Sequence, residues 1–146
     1  MATTIRIDGL AETTVEIREL PSTVARQTVL GMSQLAYDGM QAGAGRHNKT
    51  GELFQSVYNR ALAPLQRQVG HDAQRAPHAV FLLHGTRPHK IAPKEKKALR
   101  WVSGNGFVFA RAVNHPGYRG DNYLEDAADA AIRGMAELVD RAMKGT

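Results

Sequence analysis

Ala98-Leu99-Arg100-Trp101-Val102, then Ser103-Gly104-Asn105-Gly106, then Phe107-Val108-Phe109-Ala110-Arg111-Ala112-Val113 form the stretch that decides the fold. Apolar, aromatic and β-branched residues fill both flanks and glycine and asparagine sit between them, so the stretch reads as a β-hairpin. Phe107 and Phe109, two residues apart, share one face of that hairpin, and the expectation is that this face meets the core. Downstream, His115-Pro116-Gly117 turns the chain and Asp121 or Asn122 stands where a helix cap belongs. Leu124, Ala127, Ala128, Ala131, Ile132, Met135, Leu138, Val139 and Met143 then recur at i, i+3, i+4, i+7 spacing, which predicts one helix over 124–143.

Upstream, the apolar run 78–84 is stopped by Gly85 and reads as a buried segment, either a helical turn or a strand. Residues 57–69 alternate loosely around Pro64, which fits two edge-type strands or one with a break. Residues 50–57 read as a short helical turn or the beginning of a strand, with Thr50 capping and Leu53, Phe54 and Val57 facing inward. A helix is expected over 22–41, with Ser22 as its N-cap and Val24, Thr28, Met32 and Leu35 at helical spacing; Gly43, Gly45 and the polar run 46–49 are expected to end it. Residues 4–8 and 13–18 alternate, with Gly9 and its neighbours between them, and read as two short strands or a hairpin. The expected class is α+β: a mostly antiparallel β-sheet packed with a long helix near the N-terminus and a long C-terminal helix. At 146 residues the chain is expected to form one domain over 1–146.

Cysteine is absent, which excludes disulfide scaffolds and thiolate chemistry. The beginning of the chain lacks the pattern of a secretory signal and no stretch has the length of a transmembrane span, so no membrane association is expected, and the place of assembly is the cytoplasm. The 19 basic and 14 acidic residues give a net charge of +5. Ten basic residues lie between Gln66 and Arg119 against Asp72 and Glu95, a local balance of +8 that leaves −3 for the remainder. Such polarity fits a polyanion, and equally fits copies of the chain meeting with opposite patches facing.

Six histidines raise the question of a metal, but there is no HExxH and no paired ligand spacing, and polar loop histidines are the simpler account. The segment 43–50 lacks the spacing of a phosphate loop. Ser22, Ser33, Ser56 and Ser103 lack the G-x-S-x-G context of a hydrolase nucleophile. No enzymatic activity, cofactor or metal is therefore expected. The basic stretch 87–100 is the remaining candidate for nucleic acid, with Trp101 as its one nearby stacking platform; a solvated or subunit-contacting face accounts for it better than sequence-specific readout.

Read in order, Lys49-Thr50-Gly51-Glu52-Leu53-Phe54-Gln55-Ser56-Val57, the run 77–89 ending in His84-Gly85-Thr86-Arg87-Pro88-His89, Lys97-Ala98-Leu99-Arg100-Trp101, Val113-Asn114-His115-Pro116-Gly117 and Tyr123-Leu124-Glu125-Asp126-Ala127 resemble one family. It is the neck or tail-completion family of long-tailed bacteriophages, whose proteins join heads to tails during phage morphogenesis. The likeness spans residue 49 to the C-terminus. It departs from the family pattern at His84, where an acidic or other polar residue is frequent, and at Asn122-Tyr123-Leu124, which stands for Pro-Phe-Leu.

The resemblance implies a structural virion protein forming a ring at the head–tail junction, a hexamer or dodecamer matched to the six-fold tail or twelve-fold portal. It implies partners on both sides, a stopper or adaptor ring toward the head and terminator or tube proteins toward the tail. Genomic DNA would pass through the lumen without sequence-specific binding. A tail terminator capping the tube is the alternative within the class; a small basic DNA-binding module and a small hydrolase are the alternatives outside it. The candidate ring contacts are Thr50, Gly51, Gly85, Thr86, Arg87, Pro88, Lys90, Lys94, Lys96, Lys97 and Arg100, facing Asp121, Glu125 and Asp126.

Overall fold

A computed structural model describes residues 3–5, 15–17, 21–47 and 49–145. Strands β1 (Thr3–Ile5) and β2 (Val15–Ile17) pair antiparallel, with Thr3 opposite Ile17. The remainder of the two strands expected over 4–8 and 13–18, and Gly9 between them, lie outside the described residues.

Helix α1 (Ser22–Arg46) is longer than its sequence pattern predicts. Pro21, not Ser22, occupies the cap position, and its carbonyl accepts the Ala25 N–H at 2.9 Å. Val24, Thr28, Met32, Ala36, Met40 and Ala44, four residues apart, form a buried stripe, while Leu35 lies off it and is exposed. The helix continues through Gly43 and Gly45, because Gly43 lies directly beneath Tyr123 and close packing there offsets the poor helix propensity of glycine.

A short helix α2 (Glu52–Gln55) leads into the hairpin of β3 (Val57–Ala63) and β4 (Gln66–His71), which turns at Pro64-Leu65 with an irregularity between Ala61 and Ala63. Gly51 caps α2 with φ 89°, a left-handed conformation that suits glycine. Helix α3 (Ala79–His84) settles the ambiguous run 78–84 as a helical turn, and only in part buried: Ala79 is inside, whereas Val80 and Phe81 face solvent.

The chain then runs out and back as an arm. Strand β5 (His89–Ile91) pairs with β8 (Val113–His115), and β6 (Leu99–Ser103) pairs with β7 (Gly106–Ala110) across a two-residue Gly104-Asn105 turn. The expected hairpin is present. Its phenylalanines do not meet the core: Phe107 and Phe109 are 57% and 65% exposed, because among the described elements none forms a layer on either face of the β6–β7 ribbon.

The predicted C-terminal helix is two helices, α4 (Tyr123–Arg133) and α5 (Met135–Lys144), separated at Gly134, where a Cβ would lie 2.8 Å from Leu35 Cδ1. Asn122 caps α4 through its backbone, and its side chain makes no capping hydrogen bond. The core lies where α1 packs against α4 and α5 on one side and against β3–β4 on the other. The class is α+β with antiparallel pairing throughout, its described strands joined two by two in ribbons. No described helix is long and apolar enough to cross a membrane.

Candidate functional site

The arm is rooted where the chain at Thr86 crosses the chain at Tyr118. Thr86 N–H donates to the Tyr118 carbonyl at 2.7 Å and Tyr118 N–H donates back to the Thr86 carbonyl at 2.9 Å. This crossing is tight enough to demand glycine. Gly85 has φ 77° and a Cβ there would sit 2.1 Å from the Tyr118 carbonyl oxygen; Gly117, φ 86°, would meet the Thr86 oxygen at 2.5 Å. Just beyond the root, His89 and His115 stand opposite each other on β5 and β8 with rings stacked at 5.0 Å. Each is fixed by its backbone: His89 Nδ1 donates to the Arg87 carbonyl at 2.8 Å, and His115 Nδ1 accepts the Gly117 N–H at 3.0 Å.

From this root Arg87, Pro88, Lys90, Lys94, Lys96, Lys97 and Arg100 are carried out into solvent. Register puts Trp101 opposite Val108 on one face of the tip, and Arg100 opposite Phe109 and Val102 opposite Phe107 on the other. The Arg100 guanidinium lies 4.4 Å from the Phe107 ring centroid. Both faces of the tip are thus apolar and wet. A two-stranded ribbon on which no described element forms a third layer is marginal in water by itself.

The acidic candidates divide. Asp121 is committed within the subunit, 2.7 Å from His47 Nε2 and 3.0 Å from Arg46 Nη2. The His47 hydrogen bond holds its carboxyl below the ordinary value; burial opposes it, and the hydrogen bond and charge of Arg46 add to the lowering. Glu125 and Asp126 are exposed in the first turn of α4. Thr50 and Gly51 shape the start of α2, where Thr50 Oγ1 donates to Glu52 at 3.4 Å.

A second cluster, invisible in sequence, crosses the core. Ser56 Oγ lies 2.7 Å from both the Leu53 carbonyl and His71 Nδ1, and His71 Nε2 lies 2.8 Å from the Tyr123 hydroxyl. A serine hydroxyl has one proton, and the Leu53 carbonyl can only accept. Ser56 therefore donates to Leu53, His71 Nδ1–H donates to Ser56, and Tyr123 donates to Nε2. Burial, with the nearby His78 charge, lowers His71 to about 4, and burial with the Asp121 charge raises Tyr123 to about 12, so both rings are neutral in this chain of hydrogen bonds. His71 is a donor toward Ser56 and Ser56 is buried, an arrangement that ties α2, β4 and α4 together and does not activate the serine. His71 lies 15 residues beyond Ser56 and Tyr123 a further 52 beyond His71, and no local pattern announces the chain they form.

Among the described residues no group of three or more His, Asp or Glu side chains is placed to hold a metal ion. No family model matches the chain, and neither a curated protein nor a solved structure matches it.

Proposed function

We propose that the protein is a structural virion component that forms a ring at the head–tail junction of a long-tailed bacteriophage and helps join the DNA-filled head to the tail. The observation that supports this reading most is the arm: a basic lead, Lys90 to Arg100, ending in a ribbon whose two faces expose Trp101, Val102, Phe107 and Phe109. A subunit with such an arm and a charge-polarised body has an apolar surface to bury and an opposite patch to bury it near, which is the requirement for a head-to-tail contact that closes on itself. The neighbours in this reading are a stopper or adaptor ring on the head side and terminator or tube proteins on the tail side. Capping the tail tube as its terminator uses the same ring and differs in position only.

The test has a solution part and a particle part. Light scattering and negative-stain electron microscopy of the purified protein are expected to show closed rings. A phage carrying Lys96→Glu with Lys97→Glu is expected to accumulate separate heads and tails while the purified variant keeps its circular dichroism spectrum. Normal tailed virions from that phage would overturn the reading. The DNA-binding alternative draws on the same basic stretch and would be favoured by a tight duplex complex at physiological salt that this double substitution abolishes.

A further inference from the structure

The arm carries an open groove of about 740 Å³, lined by apolar Pro93, Leu99 and Phe109 and by basic Lys94, Lys96 and Arg100, with Ala98 and Glu95 completing its wall. An occupant of that groove has to bring acids and apolar side chains together. We infer that the occupant is the α3–α4 corner of a second copy of this chain, an assignment that rests on the ring reading and specifies its contact.

The corner has the complementary chemistry. Glu125, Asp126 and Asp129 are exposed on α4, and none of them makes an ion pair among the described residues. Asp121, the acid nearest in sequence, is already held by Arg46 and His47 and does not take part. Helix α3 is tied to the start of α4 by the Asp121 N–H, which donates to the Leu82 carbonyl at 2.8 Å, and it exposes Val80 and Phe81, the latter 57% in solvent. Apolar and acidic side chains are thereby offered from one corner of the fold.

Among the described residues the two surfaces do not satisfy each other within one chain. No ion pair joins Lys94, Lys96, Lys97 or Arg100 to Glu125, Asp126 or Asp129 among the described residues, although the arm leaves the body directly after α3 and returns directly before α4. A surface and its complement carried by the same subunit, each unfilled by the other, give a heterologous contact in which every copy donates an arm and receives one. DNA fits the groove less well. Phosphates would pair with the lysines and leave Leu99, Phe109 and the apolar tip uncovered.

Two charge-reversed proteins test this. The arm variant is Lys94→Glu with Lys96→Glu; the corner variant is Glu125→Lys with Asp126→Lys. All four side chains are exposed in the subunit. Each variant alone is expected to assemble about tenfold more weakly than wild type or worse, since like charges then face each other. Mixed in equal amounts they are expected to assemble again, because each reversed arm meets a reversed corner around an alternating ring. As a second measurement, the cysteine-free chain permits Lys96→Cys with Glu125→Cys, which is expected to oxidise to a ladder of covalent oligomers, while either cysteine alone stops at a dimer.

Rings formed by each reversed variant as readily as by wild type, or folded variants that fail both singly and mixed, would overturn the corner assignment and leave the ring reading standing. A wild-type protein that stays monomeric at every concentration would overturn both. If a corner variant loses its fold, the cysteine pair decides, and the absence of a ladder overturns the assignment. Assembly that requires added duplex DNA and is indifferent to the corner substitutions would identify the groove as a phosphate site and overturn it as well.

Discussion

Gly43 and Gly45 lie two residues apart in the last turns of α1 and face opposite surroundings, so the same substitution is expected to change stability in opposite directions. In an unhindered helix, Gly→Ala stabilises by about 0.5–1 kcal/mol, because alanine restricts the unfolded backbone and covers the helix better. At Gly45 a Cβ meets nothing within 4 Å, so Gly45→Ala is expected to gain up to about that amount, reduced somewhat by its place in the final turn. At Gly43 the Cβ would lie 2.3 Å from Tyr123 Cγ and 2.5 Å from Tyr123 Cβ and Cδ2. These atoms are the root of the ring, and they cannot swing aside as the end of a flexible side chain would. Relief requires α1 and α4 to separate or the Tyr123 ring to turn, and turning it withdraws the hydroxyl from His71 Nε2. Overpacking of this kind costs about 1–3 kcal/mol, and a lost buried hydrogen bond about 1 kcal/mol more. Set against the gain in propensity, Gly43→Ala is expected to destabilise by about 1–3 kcal/mol. Urea unfolding of the three proteins at one concentration, followed by far-ultraviolet circular dichroism, measures the difference. A Gly43→Ala protein as stable as wild type would refute the account of how α1 and α4 pack, and so would parallel shifts in the two variants.

Three further outcomes follow from the core and the arm. Because His71 is held near pH 4 in the folded protein and ordinarily titrates near 6.5, the unfolded chain takes up a proton first, so its contribution to stability is full above about 6.5 and is lost as pH falls to about 4; the full shift is worth about 3 kcal/mol, trimmed to about 1–2 kcal/mol by solvent screening of a half-buried ring. A wild-type minus His71→Gln stability difference that stays flat between pH 7 and pH 4 would contradict this. Tyr123→Phe keeps the ring's packing but leaves His71 Nε2 without its donor, and is expected to cost about 1–2 kcal/mol in urea unfolding; an unchanged midpoint would show the hydrogen bond to be incidental. Rings held chiefly by the apolar tip are expected to persist in light scattering as salt rises from about 0.1 to 1 M, where screening shortens from about 10 to 3 Å, whereas dissociation across that range would show that charge does the holding.

What the sequence made legible was local. The four-residue stripe of α1, the i, i+3, i+4 pattern of α4 and the Gly104-Asn105 turn each depend on neighbours within a turn or two, and each appears where its pattern places it. The end of α1 was not legible, because what holds Gly43 in a helix is Tyr123, 80 residues further on. The split at Gly134 was not legible either, since the continuous apolar spacing runs straight through it. Phe107 and Phe109 mark a different limit. Alternation states that a strand face is apolar, and it does not state whether that face is covered by the same chain or by another. The basic lead of the arm was legible as a charged, exposed segment, but the commitment of Asp121 to Arg46 and His47 was not, since those residues stand about 75 positions away.

The same distinction bears on how a ring of this chain would hold together. Trp101, Val102, Phe107 and Phe109 leave 41, 69, 57 and 65% of their surfaces in solvent. The three aromatic side chains offer roughly 150–250 Å² apiece and the valine less, so covering the exposed parts of these four removes on the order of 400 Å² of largely apolar area from water. At about 25 cal/mol per Å² that is worth about 10 kcal/mol. Bringing two subunits together costs about 4–15 kcal/mol in lost translation and rotation, so burial of one arm tip leaves an isolated pair near balance. Ion pairs at the rim do not change this, since exposed pairs contribute about 0–1 kcal/mol each. Closure does. In a head-to-tail ring the final contact forms between subunits already tethered through the others, so it adds its burial without a further full association cost. In such a ring the lysines and Arg100 would select the surface and its register, the apolar tip would supply the holding, and the stability would reside in the closed ring rather than in any pair of its subunits.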